Sequence, residues 1–348
     1  MKKKKTESKI YYKMNRSSNR AFFLENPVYI KSYASIAGKK EGEGPLGEYF
    51  DCIEEDSHFG EDSWEKAESR MQGNTFSLAL EKSGLKAENL TAVFAGDLNN
   101  QCIGSAYAMR GTGTGYIGLY GACSNMAEGL LLSSLVLNSP MVKNTAVVTS
   151  SHFGTAEKQF RYPLSYGGQR TMSAQWTCTA SGSAVLSSEK SDVPKITGCC
   201  VGKICDLGVT DLSNMGAAMA PAAADTISHF LLTTKSLPND FDAIITGDLG
   251  YVGSELLYEL LQKQNIDISS VHMDCGKLIF DKDTQDTHSG GSGCGCSASV
   301  LCGYFLKNMM SGKYKKILFA ATGALMSPLS VNQGQTIPGI SHLVQIER

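Results

Sequence analysis

Short apolar runs that end at polar turns alternate along the chain with longer segments of helical periodicity. The apolar run at residues 92–98, AVFAGDL, ends in Gly-Asp-Leu, and the pattern returns as AIITGDL at residues 243–249. Runs that are apolar on both faces are typical of buried strands, whereas apolar residues spaced three or four apart indicate helices. Strands that alternate with helices predict an α/β protein with parallel sheets covered by helices.

The two halves of the chain repeat one order of elements. Residues 116–120 lead into Gly-Ala-Cys-Ser and an apolar stretch, while residues 293–297, Gly-Cys-Gly-Cys-Ser, lead into another. Strand-like segments follow at residues 145–153 and 316–325. The repeat is far longer than the roughly 20 to 50 residues of solenoid units, so it predicts two joined half-domains that share a cleft.

We place the first half at residues 21–190 and the second at residues 191–348. Residues 1–20 are basic and polar, which favours a solvated tail over the alternative of a segment attracted to an anionic membrane.

Several helices are predicted from apolar spacing. One begins at Trp64 and stops at Gly84, and another follows Cys123. The helix after Cys123 is apolar on most sides, so we expect other elements to cover it on both faces. An alanine-rich helix is predicted at residues 215–230, with Pro221 in its first turn.

Composition excludes several classes of protein. The 348 residues carry 32 basic and 34 acidic side chains, a balance that gives no reason to expect nucleic acid as a partner. Eleven cysteines without an apolar export signal favour free thiols in a reducing compartment. No run reaches the ~18 apolar residues of a membrane span, so we expect a soluble or peripheral protein.

Cys123 is the first candidate for chemistry. It lies at a predicted strand-to-helix turn, where the helix dipole and free N–H groups favour an anion, including its own thiolate. The competing interpretation is a buried cysteine that packs as a small apolar residue.

Three further candidates follow strand ends. Asp97 and Asp248 end the two equivalent strands and are expected to face one cleft, although either could be an ordinary capping or turn aspartate. His152 is a candidate acid or base near Cys123, against the alternative of a structural histidine bonded to backbone.

The remaining candidates lie in loops. Arg161 belongs to the segment that connects the halves and would suit a carboxylate, unless it faces solvent. Ser292, Gly293 and Cys296 lie in the glycine-rich turn before the second-half helix, which lacks the Gly-Lys-Ser/Thr of a phosphate loop. The cysteine spacings also miss paired C-x-x-C, so no bound metal is expected.

The chain resembles the thiolase and ketoacyl-synthase superfamily and, within it, is similar to the stage V sporulation protein AD family. The similarity rests on long phrases that run through both halves: EGPLG (43–47), AGDLNNQ (95–101), LYGACS (119–124), TSSH (149–152), QFRYPLSYGGQ (159–169), DLGVTD (206–211), MAPAAADTI (219–227), GGSGCGCSA (290–298) and ATGALMSP (321–328). The resemblance implies a thiolase-like fold, with two pseudo-duplicated βαβαβ halves in an α-β-α-β-α layered architecture.

The resemblance also implies a function. Proteins of this family are expected to bind dipicolinic acid and to assist its uptake into the developing spore, at the inner forespore membrane. They are expected to act as peripheral subunits with the integral membrane proteins of the same sporulation operon, and as homodimers. The resemblance implies no cofactor, and leaves open whether calcium accompanies the ligand.

The second half departs from the condensing enzymes of the superfamily. Those enzymes pair the cysteine with two groups from the second half, His and His or His and Asn, and here the matching positions give Asp248 and the turn at residues 291–293. We therefore expect binding without catalysis. The two carboxylates of dipicolinic acid are expected to bind at two helix N-termini, one at Cys123 and one near Cys296. The alternatives are an acyltransferase that uses Cys123 with His152, and a purely structural subunit of the channel.

Overall fold

The structure is a computed structural model that describes residues 20–160 and 169–348. The strands of the first half are β1 (Ala21–Gly38), β2 (Cys52–Glu54), β3 (Ala92–Gly96), β4 (Tyr116–Gly118), β5 (Asn144–Ser151), β6 (Trp176–Thr177) and β7 (Ala180–Ser187). Those of the second half are β8 (Lys195–Cys200), β9 (Ala243–Thr246), β10 (His272–Asp274), β11 (Gly291–Ser292), β12 (Lys316–Ala324) and β13 (Gly339–Glu347).

The helices between them vary from single turns to five turns. They are α1 (Lys39–Gly42), α2 (Trp64–Ser83), α3 (Ile103–Met109), α4 (Asn125–Leu137), α5 (Phe153–Phe160), α6 (Met215–Thr234), α7 (Gly250–Gln262), α8 (Cys275–Leu278), α9 (Cys294–Val300), α10 (Leu306–Met310) and α11 (Pro328–Asn332). A π-helical turn, Leu301–Phe305, joins α9 to α10.

The strand order is the same in the two halves. One half runs β4-β3-β5-β7-β1 and the other β10-β9-β12-β13-β8, and β1 pairs with β8 so that one sheet continues through both. In each half, the two outermost pairs of neighbouring strands are parallel, and the two pairs nearer the centre of the sheet are antiparallel. The predicted α/β duplication is confirmed.

The repeated phrases occupy equivalent strands. AVFAG forms β3 and AIIT forms β9, and every residue of both strands is buried. Each strand is the second from the outer edge of its half, between two parallel neighbours. Strands covered by helices on both faces need apolar side chains on both faces, which is why these runs do not alternate with polar residues.

Helices form layers on both sides of the folded sheet. In the middle, α4 packs against β3 and β5 of its own half and against β12 and β13 of the other, while α9 packs against β5 and β7. Outside, α2 covers β1 and β7, and α6 covers β12 and β13. Met126 and Leu130 of α4 are fully buried, so the expectation that this helix is covered on both faces is confirmed.

The ends of α2 follow capping chemistry. Ser63 accepts a hydrogen bond from the backbone N–H of Lys66 at the start, and Gly84 ends the helix with a φ of 69° in the left-handed region. The predicted bounds of this helix are confirmed.

The prediction for Pro221 is wrong. The side chain of Asn214 caps α6 by accepting from the N–H of Ala217, so the helix begins at Met215 and Pro221 lies beyond its first turn. The glycine- and glutamate-rich residues 38–47 contain the short helix α1. No helix in the described ranges is long and apolar enough to cross a membrane.

Candidate functional site

Cys123 lies in a 3-10 turn, Ala122–Ser124, between β4 and α4. Ala122 has a φ of 51°, a left-handed conformation that costs energy in a residue with a side chain. Gly323 of β12 packs so closely on this turn that a Cβ there would collide with the carbonyl oxygen of Gly121. The second half of the fold thus supports the turn that carries Cys123.

Asp248 follows β9, and its carboxylate lies beside the thiol of Cys123. Its side chain is fully buried and accepts three hydrogen bonds: from Thr322 Oγ1 at 2.8 Å, and from Ser292 Oγ and the Gly293 backbone N–H at 2.9 Å each. The structure therefore brings together Cys123, Asp248, Ser292 and Gly293.

Burial and this contact together keep Cys123 uncharged. Burial raises the pKa of its thiol well above the ordinary value, and the nearby Asp248 carboxylate raises it further. Burial also raises the pKa of Asp248, and its hydrogen-bond donors offset part of that effect. The cysteine is consequently a protonated thiol at neutral pH, although its turn lies at a helix N-terminus.

Asp97 follows β3 and is turned toward donors within the protein. Its Oδ1 accepts from the Asn99 N–H at 2.8 Å, and its Oδ2 accepts from the N–H and the hydroxyl of Ser105 at 2.7 and 2.6 Å. The residue is 4% exposed, and burial raises the pKa of its carboxyl.

Glu68 of α2 is a buried carboxyl that the sequence predictions missed. It accepts hydrogen bonds from Thr155 Oγ1 at 2.6 Å, Asn99 Nδ2 at 3.0 Å and Ser150 Oγ at 3.1 Å. Burial, followed by the charge of Asp97, raises its pKa to about 8. Glu68 lies three residues before Met71 and therefore on the apolar, buried face of α2. That position was the available signal in the sequence, because an acidic residue on a buried face needs a hydrogen-bond partner.

Two cavities lie at this junction. The outer one, about 430 Å³, is lined by Asp97 and by amide side chains that include Asn99, Asn100 and Gln101. The inner one, about 60 Å³, is lined by Cys123 and Ser292 among others.

A set of four residues lines both cavities and separates Asp97 from Cys123. We call it the partition; its members are Leu98, Ala122, Ala324 and Met326. The described residues around the two cavities include no lysine or arginine.

His152 is bonded to backbone on both sides of its ring. Nε2 lies 2.7 Å from the carbonyl oxygen of Ser57, and Nδ1 accepts from the Gly154 N–H at 3.0 Å. These bonds fix the proton on Nε2, and burial lowers the pKa of the imidazole. The geometry corresponds to the structural alternative, with neither nitrogen bonded to Cys123.

The glycine-rich turn uses its N–H groups internally. The N–H of Gly293 donates to Asp248, and that of Gly295 donates to Ser151 Oγ at 3.1 Å. Cys296 is fully buried as a free thiol that donates to the carbonyl oxygen of Gly247 at 3.9 Å, and it lines neither cavity described above. At the predicted binding position near Cys296, the N–H groups of Gly293 and Gly295 thus have protein partners. Arg161 lies outside the described residues.

Comparison with known proteins identifies the family. The family model described as Stage V sporulation protein AD (SpoVAD) matches residues 18–347. The chain belongs to this family. It is 39% identical over 335 residues to the stage V sporulation protein AD of Bacillus subtilis (strain 168), covering 96% of this chain and 98% of that protein. The predicted resemblance to SpoVAD proteins is confirmed.

Two solved structures share the fold of this chain. Xanthomonas campestris OleA with bound cerulenin has a TM-score of 0.60 and 11% identity, covering 94% of this chain and 98% of OleA. The 3-oxoacyl-[acyl-carrier-protein] synthase III of Aquifex aeolicus VF5 has a TM-score of 0.53 and 13% identity, covering 92% and 100%. At these identities the likeness shows the thiolase-like fold alone.

Proposed function

We propose that this SpoVAD protein is a non-catalytic receptor that binds dipicolinic acid in the cleft between its halves. In this role it assists uptake of the acid into the developing spore as a peripheral subunit of a membrane channel. The observation that carries the non-catalytic part is the position of the Asp248 carboxylate beside the buried thiol of Cys123. The ligand is the one that the family resemblance implies.

Asp248 argues against acyl transfer. A cysteine nucleophile must become a thiolate, which requires a neighbouring cation or imidazole. Here the neighbour is a carboxylate, which opposes loss of the thiol proton. His152 is bonded to backbone instead. Loss of a positioned acid–base group typically costs about 10² to 10⁴ in rate, whereas binding does not require proton transfer.

The outer cavity is the proposed ligand site. Dipicolinate is a flat pyridine with two carboxylates, and amide groups such as those of Asn99, Asn100 and Gln101 can donate hydrogen bonds to carboxylates. The carboxyl of Asp97 repels a dianion, so the bound ligand needs compensation of its charge by protons or by calcium. Calcium suits this role because its preferred ligands are carboxylate and amide oxygens.

Calorimetric titration with dipicolinate, with and without calcium, tests the site. We expect Asp97→Arg to change the affinity for dipicolinate at least tenfold, because it reverses a charge in the wall of the outer cavity. We expect Cys123→Ala to weaken binding by disturbing the partition, which lies between Cys123 and this cavity. Cys52→Ala, at an exposed cysteine in β2, is the matched control. Affinity that is unchanged in both site variants contradicts the proposal.

The acyltransferase alternative is favoured by one observation: Cys123 lines an internal cavity at a strand-to-helix turn. Incubation with acyl-coenzyme A donors followed by intact-mass measurement separates the two functions. A thioester on Cys123 that is absent from Cys123→Ala supports the enzyme, and its absence from both proteins supports the receptor.

The homodimer is also a proposal. β4 is the outer strand of the first half, and its Tyr116 and Ile117 are 39% and 44% exposed. An edge strand with exposed apolar side chains suits pairing with its copy in a second chain. Sedimentation equilibrium of Ile117→Lys, which places a charge on that edge, tests this contact.

A further inference from the structure

Two carboxyl groups lie together at the outer cavity without a cation beside them. Asp97 lines the cavity and is nearly buried, and Glu68, behind it, is fully buried. Their hydrogen-bond donors among the described residues are backbone N–H groups, hydroxyls and a side-chain amide, all of them uncharged. Two negative charges at one buried place are strongly unfavourable unless a proton neutralises one of them. We call Glu68 and Asp97 the carboxyl pair.

Two hydrogen-bonded bridges join the carboxyl pair. In the first, Asn99 donates its side-chain amide to Glu68 at 3.0 Å and its backbone N–H to Asp97 at 2.8 Å. The second bridge runs from Glu68 to Asp97 through three fully buried polar side chains: Ser150, Gln72 and Ser105. Asn99 also lines the outer cavity, so a change of charge at Glu68 reaches the cavity wall through its amide.

The hydroxyl of Thr155 indicates where a proton of the pair lies. Its oxygen is 2.6 Å from Glu68 Oε2 and 2.9 Å from the carbonyl oxygen of His152. A hydroxyl has one proton and can donate it to only one of these two acceptors. A protonated Glu68 satisfies both contacts, because its O–H then donates to Thr155 while Thr155 donates to the carbonyl. The short 2.6 Å contact therefore fits a carboxylic acid at Glu68.

The other ionisable groups close to the pair stay neutral. Burial raises the pKa of the thiols of Cys294 in α9 and Cys102 before α3, and of the phenol of Tyr116 in β4. The neighbouring Cys102 raises the pKa of Tyr120, which follows β4. His152, after β5, is fixed as a neutral imidazole by its backbone bonds. The carboxyl pair is thus the group that can gain or lose a proton here between about pH 7 and pH 9.

We propose that the carboxyl pair shares one proton, held on Glu68, and that a dicarboxylate ligand binds in the outer cavity together with this proton. The inference rests on the receptor function proposed above and adds a proton to the bound complex. Glu68 is then a positioning residue, because it does not line the cavity and acts on the ligand through Asn99 and Asp97.

Loss of this proton to solvent places a second negative charge behind the cavity wall. Both carboxylates of dipicolinate are ionised above about pH 6, so the additional charge repels the ligand. The pKa of Glu68 is about 8 in the free protein, raised by burial and then by the charge of Asp97, and a bound dianion raises it further. Affinity is therefore independent of pH well below this value and falls above it.

Calorimetric titration with dipicolinate at pH 7, 8 and 9, in calcium-free buffer, tests the inference. We expect the affinity of the native protein to fall on the order of tenfold between pH 7 and pH 9, in proportion to the protonated fraction of Glu68. Glu68→Gln is neutral at every pH and still has a donor for Thr155, so its affinity should not fall. At pH 8 the native protein should take up about half a proton per ligand, and Glu68→Gln none, as measured in buffers of different ionisation enthalpy.

The control is Glu65→Gln, on the same helix. Glu65 is 42% exposed and pairs with Lys158 at 2.7 Å, so this variant should keep the pH dependence of the native protein. A purely structural role of Glu68 would change the affinity of Glu68→Gln by the same factor at every pH. Infrared spectroscopy detects the proton without ligand: the band of a protonated carboxyl should be present at pH 7, weakened at pH 9 and absent from Glu68→Gln.

Three results overturn the inference: an affinity of the native protein that does not change between pH 7 and pH 9, an equal fall in Glu68→Gln, or absence of the infrared band at pH 7. Failure of the receptor function looks different. The native protein would then bind no dipicolinate at any pH, which also refutes the coupling to a ligand, while the infrared band still decides whether Glu68 holds the proton.

Discussion

The thiol of Cys123, from the first half of the fold, lies beside the carboxylate of Asp248, from the second. Asp248 is fully buried and has three hydrogen-bond donors, so its acceptor role does not depend on the cysteine. The pair joins the two halves of the fold. Its effect is to keep the sulfur protonated.

Asp248→Asn should make Cys123 more reactive. The amide has nearly the shape of the carboxylate but no charge, so the pKa of the thiol falls toward its ordinary value. We expect the rate of iodoacetamide labelling at Cys123, followed by peptide mass spectrometry between pH 7 and 9, to increase about tenfold, the equivalent of one pKa unit. Cys123→Ser/Asp248→Asn gives the background rate, and an unchanged labelling rate in Asp248→Asn contradicts this account of the pair.

Glu68→Gln should change how stability depends on pH. The pKa of Glu68 is about 8 in the folded protein and lies near its ordinary value, 4.5, in the unfolded chain. The folded state therefore holds the extra proton between these values, and the contribution of Glu68 to stability is lost as pH rises from about 4.5 to about 8.

We expect the free energy of unfolding of the native protein to fall, relative to Glu68→Gln, by on the order of 1.4 kcal/mol per pH unit within that window. Urea denaturation at a series of pH values measures the difference. If the free energies of unfolding of the two proteins instead changed in parallel with pH, Glu68 would be ionised throughout this window. Glu65→Gln, on the same helix with a partly exposed side chain, is the control.

Gly323→Ala should destabilise the protein and displace the turn of Cys123. The added Cβ collides with the backbone of Gly121, which cannot move independently of the turn. We expect a loss of about 1 to 3 kcal/mol in the free energy of unfolding, measured by urea denaturation. The control Gly73→Ala lies in α2 with space for a methyl group, and it should be neutral or stabilising. Equal effects at the two glycines would contradict the close packing on the turn.

His152→Ala should affect stability and leave thiol chemistry unchanged. It removes both backbone bonds of the ring, which we expect to cost about 1 to 3 kcal/mol in the free energy of unfolding. The pH dependence of Cys123 labelling should match that of the native protein. A labelling profile that shifts in His152→Ala would instead support the histidine as a base for the cysteine.

The sequence predicted the fold well because its signal was local and repeated. Apolar runs that end in Gly-Asp-Leu identified β3 and β9, and apolar spacing with a terminal glycine identified α2. Short strands such as β6 and β11 were missed, because two residues carry no periodicity and depend on each other across the fold.

The candidate site was only partly predictable. Strand ends indicated Asp97 and Asp248, but sequence could not tell that the carboxylate of Asp97 turns inward to Ser105 while that of Asp248 lies beside Cys123. The involvement of Glu68 also depends on packing, since its partners Asn99, Ser150 and Thr155 come from three separate elements. Hydrogen bonds between segments distant in sequence leave no local pattern.

The partition between the two cavities limits which molecule can touch Cys123. The inner cavity, about 60 Å³, has room for only a few water molecules and cannot admit an aromatic ring. Met326, unbranched and with three rotatable bonds, is the member best able to swing aside. A compound in the outer cavity therefore meets the sulfur only after this thioether changes rotamer, so the side chain at position 326 controls access from one cavity to the other.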